Sequence, residues 1–176
     1  MDKYKILNRI LIGICVLLLI LCVSLFTLIH LNDRSKQNSC TIFMNGVYTK
    51  LSEIAYIADS CTNDGNAGKN IDEQLIELHY RLIATAEYFE IGQQFVDECI
   101  PGNAAMWFLI ASSSISKLQN ENCAWSEQAN ALKQLNHDIN KLLSEIADPN
   151  QTGIMPSLSI EEFSGIILNF YFNAAQ

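Results

Sequence analysis

From Ile10 to Ile29 twenty consecutive residues carry no charge, and this run constrains the chain more than any other feature. A helix of that length spans roughly 30 Å, the hydrocarbon thickness of a bilayer. A cleaved secretory signal has a shorter apolar region, about 7 to 15 residues, ending at a small-residue site. Here no Ala-x-Ala follows, and Cys22-x-Ser24 lies inside the run. A lipoprotein signal places a small residue before its cysteine, whereas Ile14 precedes Cys15 and Leu21 precedes Cys22. The expectation is a retained single-span anchor over 10–30, with both cysteines as ordinary apolar side chains. Lys3, Lys5 and Arg9 precede the span and only Arg34 and Lys36 follow it. That bias puts the short segment 1–9 in the cytoplasm and everything after residue 30 outside it.

Charge then narrows the function classes. Residues 37–176 hold six basic against seventeen acidic side chains. Such a surface repels nucleic-acid phosphates and anionic head groups and attracts basic partners. No nucleic-acid role is expected.

Beyond a polar linker over 31–40, apolar residues recur at helical spacing. Phe43, Val47, Leu51, Ile54 and Ala58 form one stripe of a helix over about 41–60. A second helix opens at Asn70 with Glu73 in a capping box, carries Ile71, Leu75, Leu78, Leu82, Phe89 and Val96, has a weak point at Gly92, and is stopped by IPGN. A third, over about 104–118, contains AAMWFLIA, apolar on several sides and therefore expected to be central. The fourth, over about 122–147, aligns Trp125, Ala129, Leu132, Leu135, Ile139, Leu142 and Ile146 before the break at ADPNQTG, which holds the sequon Asn150-Gln151-Thr152. Ser159 and Glu162 cap the last, whose stripe is Ile160, Phe163, Ile167, Phe170 and Tyr171. The fold class is all-α: a transmembrane helix followed by an up-and-down bundle of about five helices over 41–176.

Cys40, Cys61, Cys99 and Cys123 each fall near a helix end. Cys40 and Cys61 bracket a helix about 30 Å long, too far to bridge. Up-and-down order instead brings Cys40 to Cys99 at one end and Cys61 to Cys123 at the other. Each disulfide would close a loop of some sixty residues, contributing about 4 kcal/mol by chain entropy. Reduced, buried cysteines in a cytosolic domain are the competing reading.

Chemistry-bearing patterns are incomplete. His79 and His137 lack the Glu-x-x-His spacing of a di-iron bundle, since Ile76 and Gln134 stand where the glutamates belong. Ser114 and Lys117 match S-x-x-K without the accompanying S-D-N and K-T-G elements. The glycine loop ending at Lys69 fits neither a phosphate loop nor a calcium loop. Acidic pairs Asp72–Glu73 and Glu161–Glu162 suit first helical turns, while Asp97–Glu98 sits unfavourably at a C-terminus. No catalytic, cofactor-binding or metal-binding residues are expected, and no enzyme. The expectation is an acidic, membrane-anchored protein-interaction module, facing the periplasm or exterior from a bacterial inner or cytoplasmic membrane. It would serve as an envelope or secretion component, or as an inhibitor or immunity protein, with a protein partner. The alternative is a small-ligand sensor with a pocket near Trp107, Trp125, Tyr80 or Tyr88.

Overall fold

The computed structural model of the chain describes residues 2–62, 71–96, 100–120, 125–150 and 152–174. They form helices α1 (Asp2–Thr62), α2 (Ile71–Phe95), α3 (Ala104–Asn120), α4 (Trp125–Ile146) and α5 (Ile160–Ala174), with no strand among the described residues. The chain divides into two compact units, residues 1–39 and 40–176.

The first unit is helix with an apolar surface. A window of mean hydropathy 2.9, none of it buried, makes it long and apolar enough to cross a membrane. Thr27 gives its hydroxyl proton to the Val23 carbonyl, so this polar group is satisfied within the helix.

The linker expected over 31–40 is helical and belongs to α1. Its sequence, LNDRSKQNSC, holds neither glycine nor proline. Its polar residues each cost only several tenths of a kcal/mol in helix propensity, and Ser39 Oγ donates to the Ser35 carbonyl at 3.1 Å. Stopping and restarting a helix would instead orphan backbone groups at two new ends and require a second nucleus.

In the second unit the stripe of α1 is fully covered: Phe43, Val47, Leu51, Ile54 and Ala58 are all buried. Around it lie Leu75, Leu78, Leu82 and Phe89 of α2, Leu132, Leu135, Ile139, Leu142 and Ile146 of α4, and Phe163 and Ile167 of α5. Pair contacts fix the register. Phe43 stacks on Tyr88 with ring centroids 5.0 Å apart, and Arg81 reaches Glu53 at 2.7 Å, so α2 runs antiparallel to α1. Phe89 lies 5.5 Å from Phe108 and His79 touches Ser112, so α3 turns back again. Asn136 donates to Asp59 at 3.4 Å and the Ile154 amide to Asn45 at 3.4 Å, which sets α4 antiparallel to α1. α5 closes the Cys40 end, with Phe163 against Phe43 and Phe170 against Trp107.

Gly92 is no weak point of α2. It is buried inside an unbroken helix, and a Cβ there would lie 2.2 Å from the Phe43 ring. The missing side chain is what admits Phe43. Gly153 works differently: at φ 146° it turns the α4–α5 connection, and its carbonyl accepts the Asp148 amide at 2.9 Å beside the Ala147–Ile154 bridge.

The capping box of α5 is present in both directions, Glu162 amide to Ser159 Oγ at 3.2 Å and Ser159 amide to Glu162 Oε2 at 3.0 Å. Ser159→Ala is expected to cost about 1 kcal/mol, read as a lowered thermal midpoint. Asn70, the expected cap of α2, lies outside the described residues.

α3 departs most from expectation. It is peripheral, packed on α2 and α5, and buries Ala104, Ala105, Phe108, Ser112 and Ile115. The opposite face has no cover among the described residues: Met106 is 52%, Leu109 39% and Ile110 57% exposed.

Candidate functional site

The uncovered side of α3 meets a matching row on α2. Ile76, Tyr80, Ile83, Glu87 and Glu90 follow one another at spacings of four and three, which places them along one helix face. Ile76 is 41% and Tyr80 64% exposed; Ile83 is half-buried, and Glu87 and Glu90 are exposed. On α3, Met106, Leu109, Ser113 and Ser116 keep the same rhythm. Between the two rows runs an open groove of about 410 Å³, lined by His79, Ile83, Leu109, Ser112, Ser113, Ser116 and Lys117.

His79 fastens the floor of this groove. Its Nδ1 lies 2.8 Å from Ser112 Oγ and 3.1 Å from the Ser112 carbonyl. Either tautomer therefore finds a partner, taking the hydroxyl proton or giving one to the carbonyl. Ser112 itself is buried, so its hydroxyl ties α3 to α2 and is closed to solvent. Ser114 is exposed and spends its hydroxyl on the Ile110 carbonyl at 3.0 Å. His137 is exposed on α4. Among the described residues no group of three His, Cys, Asp or Glu side chains is placed to hold a metal ion.

No protein-family model, curated protein or solved structure matches the chain.

The aromatic residues proposed for a ligand pocket are spent on packing. Tyr88 is stacked between Phe43 and the ammonium of Lys50, 5.1 Å from its ring, and Trp107 is wedged edge-on against Phe108 and Phe170. Tyr80 is exposed on the α2 row next to His79 and one turn from Ile83, which line the groove; the side chain of Trp125 lies outside the described residues.

Of the four outer cysteines, Cys40 and Cys61 are buried on α1, separated by about 31 Å of helical rise. Cys99 and Cys123 lie outside the described residues, so neither expected pairing is read from the structure. Burial pushes the Cys61 thiol from its ordinary 9.0 up to about 11. Between those two values the unfolded chain has lost this proton while the folded one keeps it, so stability falls as pH rises. In the reduced protein the loss is expected to reach about 2 to 3 kcal/mol. Unfolding free energies of the reduced chain should fall more steeply across this range than those of Cys61→Ala.

Sequence reasoning missed the seam because AAMWFLIA looks apolar all round. A signal was present in the next turns. Ser113, Ser114 and Lys117 continue the same face as Met106 and Ile110 with polar groups, a pattern a central helix does not carry.

Proposed function

We propose that the chain is a membrane-anchored, non-enzymatic interaction module whose helical unit stands outside the cytoplasm and engages another protein. The carrying observation is the exposed apolar seam of α2 and α3, where Ile76, Tyr80, Met106, Leu109 and Ile110 stand uncovered on two neighbouring helices. Contiguous apolar surface of this kind on a folded domain marks a contact site. The uncovered apolar stretch of α1 from Gly13 to Leu31 supports the anchor, and the basic bias of residues 1–9 supports the orientation.

The register supports the two disulfides proposed for the exported form. Phe43 against Gly92 brings the C-terminus of α2 to the Cys40 end. The pairings Glu53–Arg81 and His79–Ser112 set Cys61 level with the last turn of α3, three residues before Cys123.

Photocrosslinking in native membranes tests the reading. A photoreactive residue placed at Tyr80 or Ile110 should capture a distinct protein, and one at Tyr56, exposed on α1, should not. Absence of any protein adduct from every exposed position would remove the proposal.

A further inference from the structure

We infer that the outer seam of α2 and α3 docks a basic amphipathic helix of the partner protein. This rests on the interaction reading above and specifies what the seam accepts. Its shape comes from two antiparallel helices whose outward rows, Ile76–Tyr80–Ile83 and Met106–Leu109–Ser113, run beside an open groove lined by Ile83, Leu109 and Ser113, with the exposed Ile110 next to Met106 and Leu109 on the outer side of α3. A helix laid along such a groove inserts apolar side chains at three- and four-residue spacing, the same rhythm the two rows present.

The charge of the rim selects the partner's polar face. Glu87 and Glu90 continue the α2 row directly past Ile83 and are exposed. Arg81, the cation nearest on α2, is engaged by Glu53 at 2.7 Å and Glu77 at 3.2 Å and leaves both rim carboxylates to solvent. Lys117, at the other end of the groove, is the one cation lining it among the described residues. A helix flanked by Lys or Arg would pair with Glu87 and Glu90, and the surrounding acidic surface, six basic against seventeen acidic residues beyond position 36, would speed its approach. The same charge opposes the other two occupants of an apolar face. A second copy would bring an equally acidic surface against this one, and an anionic bilayer would repel it.

The test uses the full chain in zwitterionic lipid nanodiscs and a fluorescent synthetic helix with leucines at i, i+4 and i+7 flanked by lysines. Its twin carries glutamates in place of the lysines. The lysine peptide should bind saturably, and the glutamate twin about tenfold more weakly. Met106→Asp, Ile110→Asp and the double reversal Glu87→Lys with Glu90→Lys should each weaken binding by about tenfold, while Tyr56→Asp on α1 should leave it unchanged. These positions are exposed, so folding should survive; a thermal melt of each variant checks this. Equal binding of the twin, indifference to the seam substitutions, or equal uptake by empty nanodiscs would overturn the inference. Peptide-free dimers abolished by Ile110→Asp would assign the face to a second copy and overturn it too. So would an environment-sensitive label on Ile110→Cys that reports lipid burial without peptide. Partner crosslinks confined to other faces would overturn this inference and leave the interaction reading standing, whereas no crosslinks anywhere would remove that reading.

Discussion

Phe43→Ala is expected to destabilise the helical unit by about 3 to 5 kcal/mol. Phe43 is buried near the start of the α1 stripe, and its ring is held from three sides, by Tyr88 at 5.0 Å, Phe89 at 5.9 Å and Phe163 at 6.3 Å between centroids. It thus joins α1, α2 and α5 at once. Removing the ring loses its transfer free energy and leaves a cavity that three rigid neighbours cannot close. Folding free energies of single domains are only about 5 to 15 kcal/mol, so the variant should sit near the edge of unfolding at ambient temperature. Denaturant titration of the full chain, followed by tryptophan fluorescence, measures the loss. A cost below about 1 kcal/mol would mean that Phe43 is not a joint of this bundle.

Gly92→Ala should show an opposite sign from most glycine replacements in helices. At an open helical site the change gains about 1 kcal/mol. Gly165, with nothing within 4 Å of its would-be Cβ, is such a site, and Gly165→Ala should stabilise. At Gly92 the added carbon meets Cε2, Cζ and Cδ2 of Phe43 at 2.2, 2.5 and 2.9 Å. The ring cannot retreat, because Tyr88, Phe89 and Phe163 hold it. The expected net cost is about 2 to 3 kcal/mol. Gly46 is a second crowded site, since a Cβ there would meet Oη, Cζ and Cε1 of Tyr88 at 2.2, 2.7 and 3.0 Å. Gly46→Ala should therefore destabilise as well, by pushing Tyr88 off Phe43. The double variant Gly92→Ala with Phe43→Leu should recover part of the loss through coupling of the two sites; strict additivity would refute the steric account.

Where helical periodicity alone decides burial, the amino-acid order sufficed. The stripe of α1 is buried throughout and that of α4 from Leu132 to Ile146, α5 buries Phe163 and Ile167 with Ile160 and Phe170 half-buried, and the cap at Ser159 forms with both of its hydrogen bonds. Periodicity says which face of a helix is apolar. It does not say how many neighbours the helix will have, so α3, apolar on several sides, carries the pattern of a central helix yet leaves Met106, Leu109 and Ile110 exposed. The polar linker over 31–40 is helical for a different reason: without Gly or Pro there is little local cost in continuing a helix already formed on both sides. Gly92 looked like a flaw because its reason lies in Phe43, forty-nine positions away in the chain. The seam was illegible as a site because its parts belong to two helices and acquire meaning only in register. His79 and Ser112, thirty-three positions apart, show the same dependence.

The central claim is an anchored helical unit outside the cytoplasm. Peptide mapping of the cysteines, with free thiols trapped in intact membranes under non-reducing conditions, tests it most directly. The account predicts bridges Cys40–Cys99 and Cys61–Cys123. Four free thiols at Cys40, Cys61, Cys99 and Cys123 would contradict it and place the unit, with its seam and its partner, on the cytoplasmic side.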